Sequence, residues 1–186
     1  MRTAALISLL TCSLGAAACA SSRGAGPVAP ATADDPCRAP LPSAALAVPA
    51  GSDPAFSLLA IGVQIYTCTA TPSGAAWVFT APEAALSDGQ GRAAGTHFAG
   101  PTWKASDGST VVGTKVAGAT PDPASIPWLL LSAASHDGGG RMERVTFIQR
   151  LRTSGGNPPA SGCDAARVGT VARVPYGATY CFHQAK

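Results

Sequence analysis

His97, His136 and His183 are the chain's three imidazoles, the side chains best suited to acid–base or metal chemistry near neutral pH. His97 and His136, with a carboxylate such as Glu83 or Asp107, have the donor types of a mononuclear metal site. Nothing in their spacing places them together, and histidines bonded to backbone carbonyls are the simpler reading. We expect neither a metal nor a cofactor. Three imidazoles are too few for a copper–zinc centre. Ser135-His136-Asp137 has the letters of a hydrolase triad, but adjacent side chains do not assemble one. There is no Gly-x-Ser-x-Gly elbow. Glu83 and Glu143 are the only glutamates, and most aspartates sit in Asp-Gly or Asp-Pro turns. Paired glycosidase carboxylates are therefore not indicated. The remaining catalytic candidate is a cleft holding His97, Asp107 and His136 beside Trp103.

Trp77, Trp103 and Trp128 raise a different chemistry, the stacking of a sugar on an exposed indole. Trp77 and Trp128 lie within apolar runs and read as core. Trp103 follows Gly-Pro-Thr near a hairpin end, beside Lys104 and Asp107, and is the candidate ligand-binding residue. Packing is nevertheless its favoured role. Arg144, Arg150 and Arg152 would share one face of a strand, either as a basic stripe for an anionic surface or as a solvated face that discourages edge pairing. The net charge of +3 is small and scattered, which argues against nucleic-acid binding.

The cysteines carry the clearest chemistry. Met-Arg-Thr is followed by an apolar run, Ala4 to Leu14, and then by small residues to Ala18. This is the pattern of a secretory leader. The run falls short of the ~20 residues of a membrane-spanning helix. Ala17-Ala18-Cys19 resembles a bacterial lipobox, which would make Cys19 the lipidated first residue; ordinary cleavage is the alternative. Cys12 leaves with the leader. Lipidation of Cys19 leaves an even set, Cys37, Cys68, Cys163 and Cys181, with three connectivities. No Cys-x-x-Cys motif is present, and an exported context favours disulfides. The preferred pairing is Cys68–Cys163 with Cys37–Cys181, the second clipping the domain's start to its last strand.

The elements that must position these residues are short strands. Charged residues make up 12% of the chain, against roughly 25% in a typical soluble protein. The 21 Gly and 16 Pro argue against a helical bundle or coiled coil. Residues 20–35 hold few large apolar side chains and read as a tether. Beyond it, Val63, Ile65 and Thr67 alternate with Gln64, Tyr66 and Cys68. Trp77 and Phe79 alternate with Val78 and Thr80. Asp107-Gly108 is a hairpin turn. Ile126 to Ala134 reads as a buried strand, Met142 to Arg152 as another, and Val171 to His183 as two short strands broken at Pro175 and Gly177. The expected fold is all-β: a disulfide-stabilised sandwich or partly closed antiparallel barrel. The expected organisation is a leader over 1–18, a lipidated cysteine and tether over 19–36, and one β domain over 37–186.

Eight ordered motifs carry a family resemblance: GVQIYTC (62–68), FTAPEAAL (79–86), HFAGPTW (97–103), DGSTVVG (107–113), IPWLLLSAASHDGGG (126–140), VTFIQRLRTSGG (145–156), GCDAA (162–166) and RVPYGATYCF (173–182). Across Leu41 to Phe182 the chain resembles the domain of unknown function 3455 (DUF-3455) family of secreted bacterial and fungal proteins. The resemblance supports the Cys68–Cys163 bridge and an export context. Cys181 stands where the resemblance implies an aromatic residue, and Lys104 where it implies an acidic or polar one. Some relatives carry a malate dehydrogenase label. Gly89 to Gly95 nearly mimics a dinucleotide-binding glycine pattern, but Gly100-Pro101 stops the helix that such a pattern must open. No dinucleotide is expected.

The functional expectation is an exported cell-envelope module, tethered to the membrane through a lipid on Cys19 and without catalytic activity. It would be an outer-membrane or periplasm-facing lipoprotein, or otherwise secreted. Its expected partner is an envelope polysaccharide or protein. The alternatives are an enzyme using the His/Asp cleft near Trp103 and a purely structural envelope protein.

Overall fold

The computed structural model describes residues 35–186. The expected leader, Cys19 and most of the tether lie outside the described residues. Eight antiparallel strands follow one another: β1 Ser52–Thr71, β2 Gly74–Ser87, β3 Ala93–Phe98, β4 Thr102–Ala105, β5 Thr110–Ala119, β6 Trp128–Asp137, β7 Val145–Gly155 and β8 Val171–Ala185. Each pairs with the next, and β8 returns to pair with β1, from Ser52↔Ala185 to Thr67↔Val171. The result is a closed up-and-down barrel with no free edge, the more fully closed form of the expected all-β fold.

The alternation predicted in β1 is present. Gln64, Tyr66 and Cys68 point inward and are buried, while Val63, Ile65 and Thr67 are half-buried on the outer face. Gly62 is the tight point of this strand. A Cβ there would run into the Glu83 carbonyl and Ala84 of β2, so only glycine permits the Gly62↔Ala84 pairing. The Asp107-Gly108 turn joins β4 to β5 as predicted. β8 departs from prediction, running unbroken through Pro175 and Gly177. β7 pairing ends at Gly155↔Tyr176, so at Pro175 the strand has one open side where a missing N–H is tolerated.

One half of the barrel is filled by a dry core. Leu58, Leu86, Val111, Met142, Val145 and Phe182 are fully buried in it. Phe56 stacks on Phe182 at 4.7 Å, and the Arg141 guanidinium lies 4.1 Å from the Phe56 ring centre. Outside the barrel, the 3-10 turn Ala44–Leu46 lays a fully buried Leu46 over β5 and β6. The Leu46 carbonyl accepts from Gln149 Nε2 at 2.7 Å, and Gln149 Oε1 accepts from His183 Nε2 at 2.9 Å. This chain fixes the tautomer of neutral His183, whose Nδ1 is then buried and without a partner among the described residues. Cys37 bonds Cys181 beside this contact, and Cys68 bonds Cys163. Both bridges are the preferred pairing.

The three arginines do not form one stripe. Arg144 precedes β7 in a turn, and Arg152 has φ 48° at a register shift between Leu151 and Ser154. That shift breaks the alternation that would have aligned them. Arg150 instead reaches the barrel interior.

Candidate functional site

The other half of the barrel holds a cavity of about 320 Å³, and every strand contributes to its wall. It lies at the end bearing turns 72–73 and 99–101 and loops 120–127 and 156–170. Its floor is buried: Gln64 from β1, His97 from β3, Trp103 from β4, Leu131 from β6 and Tyr180 from β8. Its rim is more open, with Phe79 and Thr80 from β2 and Lys115 from β5 exposed. Leu129 and Arg150, both half-buried, complete the wall from β6 and β7.

The floor is built by a tight hairpin. Thr102 Oγ1 donates to the Ala99 carbonyl at 2.8 Å and closes the β3–β4 turn, which sets His97 directly opposite Trp103. The two rings stack at 4.5 Å, and Tyr180 meets the indole edge-on at 5.2 Å. Gly113 makes room for the indole, since a Cβ there would sit 3.0 Å from Trp103 Cζ3. His97 Nδ1 lies 2.8 Å from the Thr102 carbonyl. Burial pushes the His97 pKa down to about 4, with Arg150 adding to the effect and the Thr102 bond opposing it. The ring is therefore neutral at pH 7, and Nδ1 carries the proton that it donates.

Three buried donors on this floor have no partner among the described residues: Gln64 Nε2, Trp103 Nε1 and the Tyr180 hydroxyl. The Tyr176 and Tyr180 hydroxyls lie against each other, and Tyr180 against the Arg150 guanidinium, but neither makes a bond of full hydrogen-bond geometry among the described residues. Leaving such a group unmade costs about 1–3 kcal/mol, so Gln64 Nε2 and Trp103 Nε1, both bare on one floor, call for an explanation. Arg150 supplies the positive field. Burial raises the pKa of Tyr66, Tyr176 and Tyr180, and in each case the nearby Arg150 charge opposes it.

The loops around the mouth are tied down. Tyr66 donates to the Gly156 carbonyl at 2.6 Å, Gly155 N to Ser125 Oγ at 3.2 Å, and Asn157 Nδ2 to the Pro123 carbonyl at 2.8 Å. Trp77 Nε1 donates to the Ser161 carbonyl at 3.0 Å, next to the Cys68–Cys163 bridge.

The structure brings His97 and Trp103 together and leaves Asp107 and His136 out. Asp107 sits in the β4–β5 turn at the opposite end, where its carboxylate accepts from Arg141 N, Ser109 Oγ and Ser109 N. These bonds, Arg141's first, lower its pKa to about 2. His136 Nε2 lies 2.7 Å from the Val145 carbonyl. Glu83 pairs with Arg173 on the outer surface at 2.8 Å. Among the described residues no three His, Cys, Asp or Glu side chains come close enough to hold a metal. The glycines at 89–91 lie in the β2–β3 hairpin turn, and no helix follows them.

The tryptophans differ in burial from one another. Trp103 is 1% exposed, while Trp77 and Trp128, read as core, are half-buried. Trp103 does line a site, but from inside the barrel. Gln64, Lys115, Arg150 and Tyr180 were not singled out as ligand-facing from the sequence. The available signal was Gln64, a polar residue at the centre of the strand parity that also carries Tyr66 and Cys68.

The molecule is thus a closed eight-stranded antiparallel barrel with a donor-lined cavity in one end. The chain belongs to the family described as a protein of unknown function (DUF3455), which matches residues 49–184. No curated protein and no solved structure matches it.

Proposed function

We propose that this protein is a non-catalytic binding module of the cell envelope, exported and tethered by a lipid on Cys19, which holds a small molecule in the mouth of its barrel. The observation that carries the binding reading is the convergence of unpartnered Gln64, Trp103 and Tyr180 donors on one cavity. Concave, mostly apolar sites with a few aimed polar groups are the usual form of small-molecule sites, at about 300–1,000 Å³. This narrows the expected partner from an envelope polysaccharide or protein to a small ligand. The catalytic alternative loses support because Asp107 and His136 are engaged at the other end. The two disulfides are compatible with an oxidising, exported setting.

Binding is tested by thermal unfolding of the full chain with a panel of neutral, cationic and anionic fragments of about ten non-hydrogen atoms. At saturating fragment we expect at least one to raise Tm by about 5 °C. Leu129→Phe, which fills the cavity wall, should abolish the shift. A panel with no shift in the wild type sinks the binding reading. The tether is tested separately by detergent-phase partitioning of the chain expressed in a bacterial host. Wild type should enter the detergent phase and Cys19→Ser the aqueous phase. Equal partitioning of the two would remove the anchor from the proposal.

A further inference from the structure

We propose that the cavity selects a small organic monocarboxylate, a compact apolar body with one carboxylate held by Arg150. The inference rests on the reading of this cavity as a binding site and adds the chemistry of its ligand.

Apart from the unprotonated Nε2 of His97 and the side-chain oxygen of Gln64, the polar groups on the floor are donors. Gln64 Nε2 and Trp103 Nε1 can only donate, and the Tyr180 hydroxyl can donate as well. A ligand that satisfies all three must bring acceptors. Arg150 adds charge. Its Nε donates to the Pro127 carbonyl at 3.0 Å, which orients the guanidinium beside Tyr180. Among the described residues no Asp or Glu pairs with Arg150, as none pairs with Arg141, Arg144 or Arg152, but of these four Arg150 is the one that lines the cavity. Among the described residues no acidic side chain lines the cavity, and Lys115 stands at its rim. The site therefore has a cation and donors and lacks the anion that would normally accompany them.

Size and wall chemistry narrow the ligand further. At roughly 30 Å³ per water, a cavity of about 320 Å³ holds about ten waters, the size of a ligand of ten to fifteen non-hydrogen atoms. Phe79, Pro82, Leu129 and Leu131 form apolar walls that suit a hydrocarbon or aromatic body. One guanidinium with neutral donors balances a single negative charge, and its planar fork matches a carboxylate. A phosphate dianion would need more cationic partners than the floor provides.

The test is a tryptophan-fluorescence titration of the purified full chain with octanoate and benzoate, their amides, and octylammonium. We expect the carboxylates to bind at least tenfold more tightly than the amides, and octylammonium not to bind. Arg150→Met, similar in length and uncharged, should reduce carboxylate affinity about tenfold to a hundredfold and leave amide affinity unchanged. Lys115→Gln, at the exposed rim, should reduce it less and keep the fold if Arg150→Met does not. Amides that bind as tightly as acids would overturn the carboxylate assignment and leave the binding site standing. The same holds if Arg150→Met leaves the acid-to-amide ratio intact. Failure of the carboxylates to bind would overturn the carboxylate assignment, and only a fragment panel that also fails to raise Tm would remove the binding site with it.

Discussion

Replacing Cys68 and Cys163 together by alanine is expected to lower the unfolding free energy by about 3–4 kcal/mol, read as a shift in the urea midpoint at constant m-value. The bridge spans 95 residues of sequence, and a loop of that length is worth up to about 4.7 kcal/mol in the chain-entropy picture. The expected loss is smaller because the bridges are nested. Cys37–Cys181, 144 residues apart, has already cyclised the unfolded chain, so the inner bridge removes less freedom from it. The loss should be felt first at the cavity mouth. Cys163 anchors the 156–170 loop, which would then be held only by hydrogen bonds to Tyr66, Trp77, the Cys68 backbone and the 120–127 loop. Hydrogen exchange should rise there before it rises in the β1–β8 ladder. A midpoint that moves by less than the equivalent of about 1 kcal/mol would show that the bridge adds little to a barrel already closed by its ladders.

Acid should destabilise the domain well above the pH at which carboxylates titrate. The folded His97 pKa is depressed from 6.5 to about 4, chiefly by burial. Between those values the unfolded chain binds a proton at this site that the folded chain does not. Stability from His97 is therefore complete above pH 6.5, falls as pH drops toward 4, and flattens below. The total is about 3 kcal/mol. His183, also depressed by burial, acts in the same direction. Asp107 titrates lower, toward about pH 2, and is separable from both. His97→Asn keeps a donor near the Thr102 carbonyl but cannot titrate, so its stability should fall less steeply between pH 6.5 and 4. Equal slopes for variant and wild type would mean that His97 charges in place without cost.

The parts of the fold that depend on neighbouring residues were legible in the sequence. The alternation from Val63 to Cys68 and the Asp107-Gly108 turn follow from local pattern, whereas cysteine arithmetic left three connectivities and the family resemblance supported only Cys68–Cys163. Which parity faces inward did not follow, because Gln64, Tyr66 and Cys68 look no more buried than Val63, Ile65 and Thr67. Only closure of the ring decides it, and closure is a property of all eight strands. The unbroken course of β8 through Pro175 was hidden for a related reason, since it depends on where the β7 ladder happens to end.

The site was legible only in fragments. Trp103 and His97 were singled out, Trp103 as packed or at a hairpin end and His97 as a turn or rim histidine, but not as stacked partners on a cavity floor. Nothing local distinguishes an indole packed over Gly113 from one at a hairpin tip. Arg150 was read as part of a stripe with Arg144 and Arg152, and the bulge at Arg152 that separates them leaves no mark in residue type. Asp107 and His136 attract notice because their types are catalytic elsewhere, yet each is occupied in holding a turn or a strand end. A cavity assembled from one or two residues on each of eight strands has no contiguous motif.

The pairing of β1 with β8 also bears on how the protein comes into being. Until β8 is made, the other seven strands form at most an open sheet, with β1 and β7 each exposing a row of unpaired amides and carbonyls. Both flanking strands are rich in apolar residues, so this precursor is the form most prone to pair with a neighbouring molecule. The ladder that ends the hazard joins the most distant parts of the domain, and such contacts form slowly. A chain shortened within β8 would lose more than the residues removed. It would remain a sticky half-product, with Cys37 deprived of its partner and the cavity open along one side.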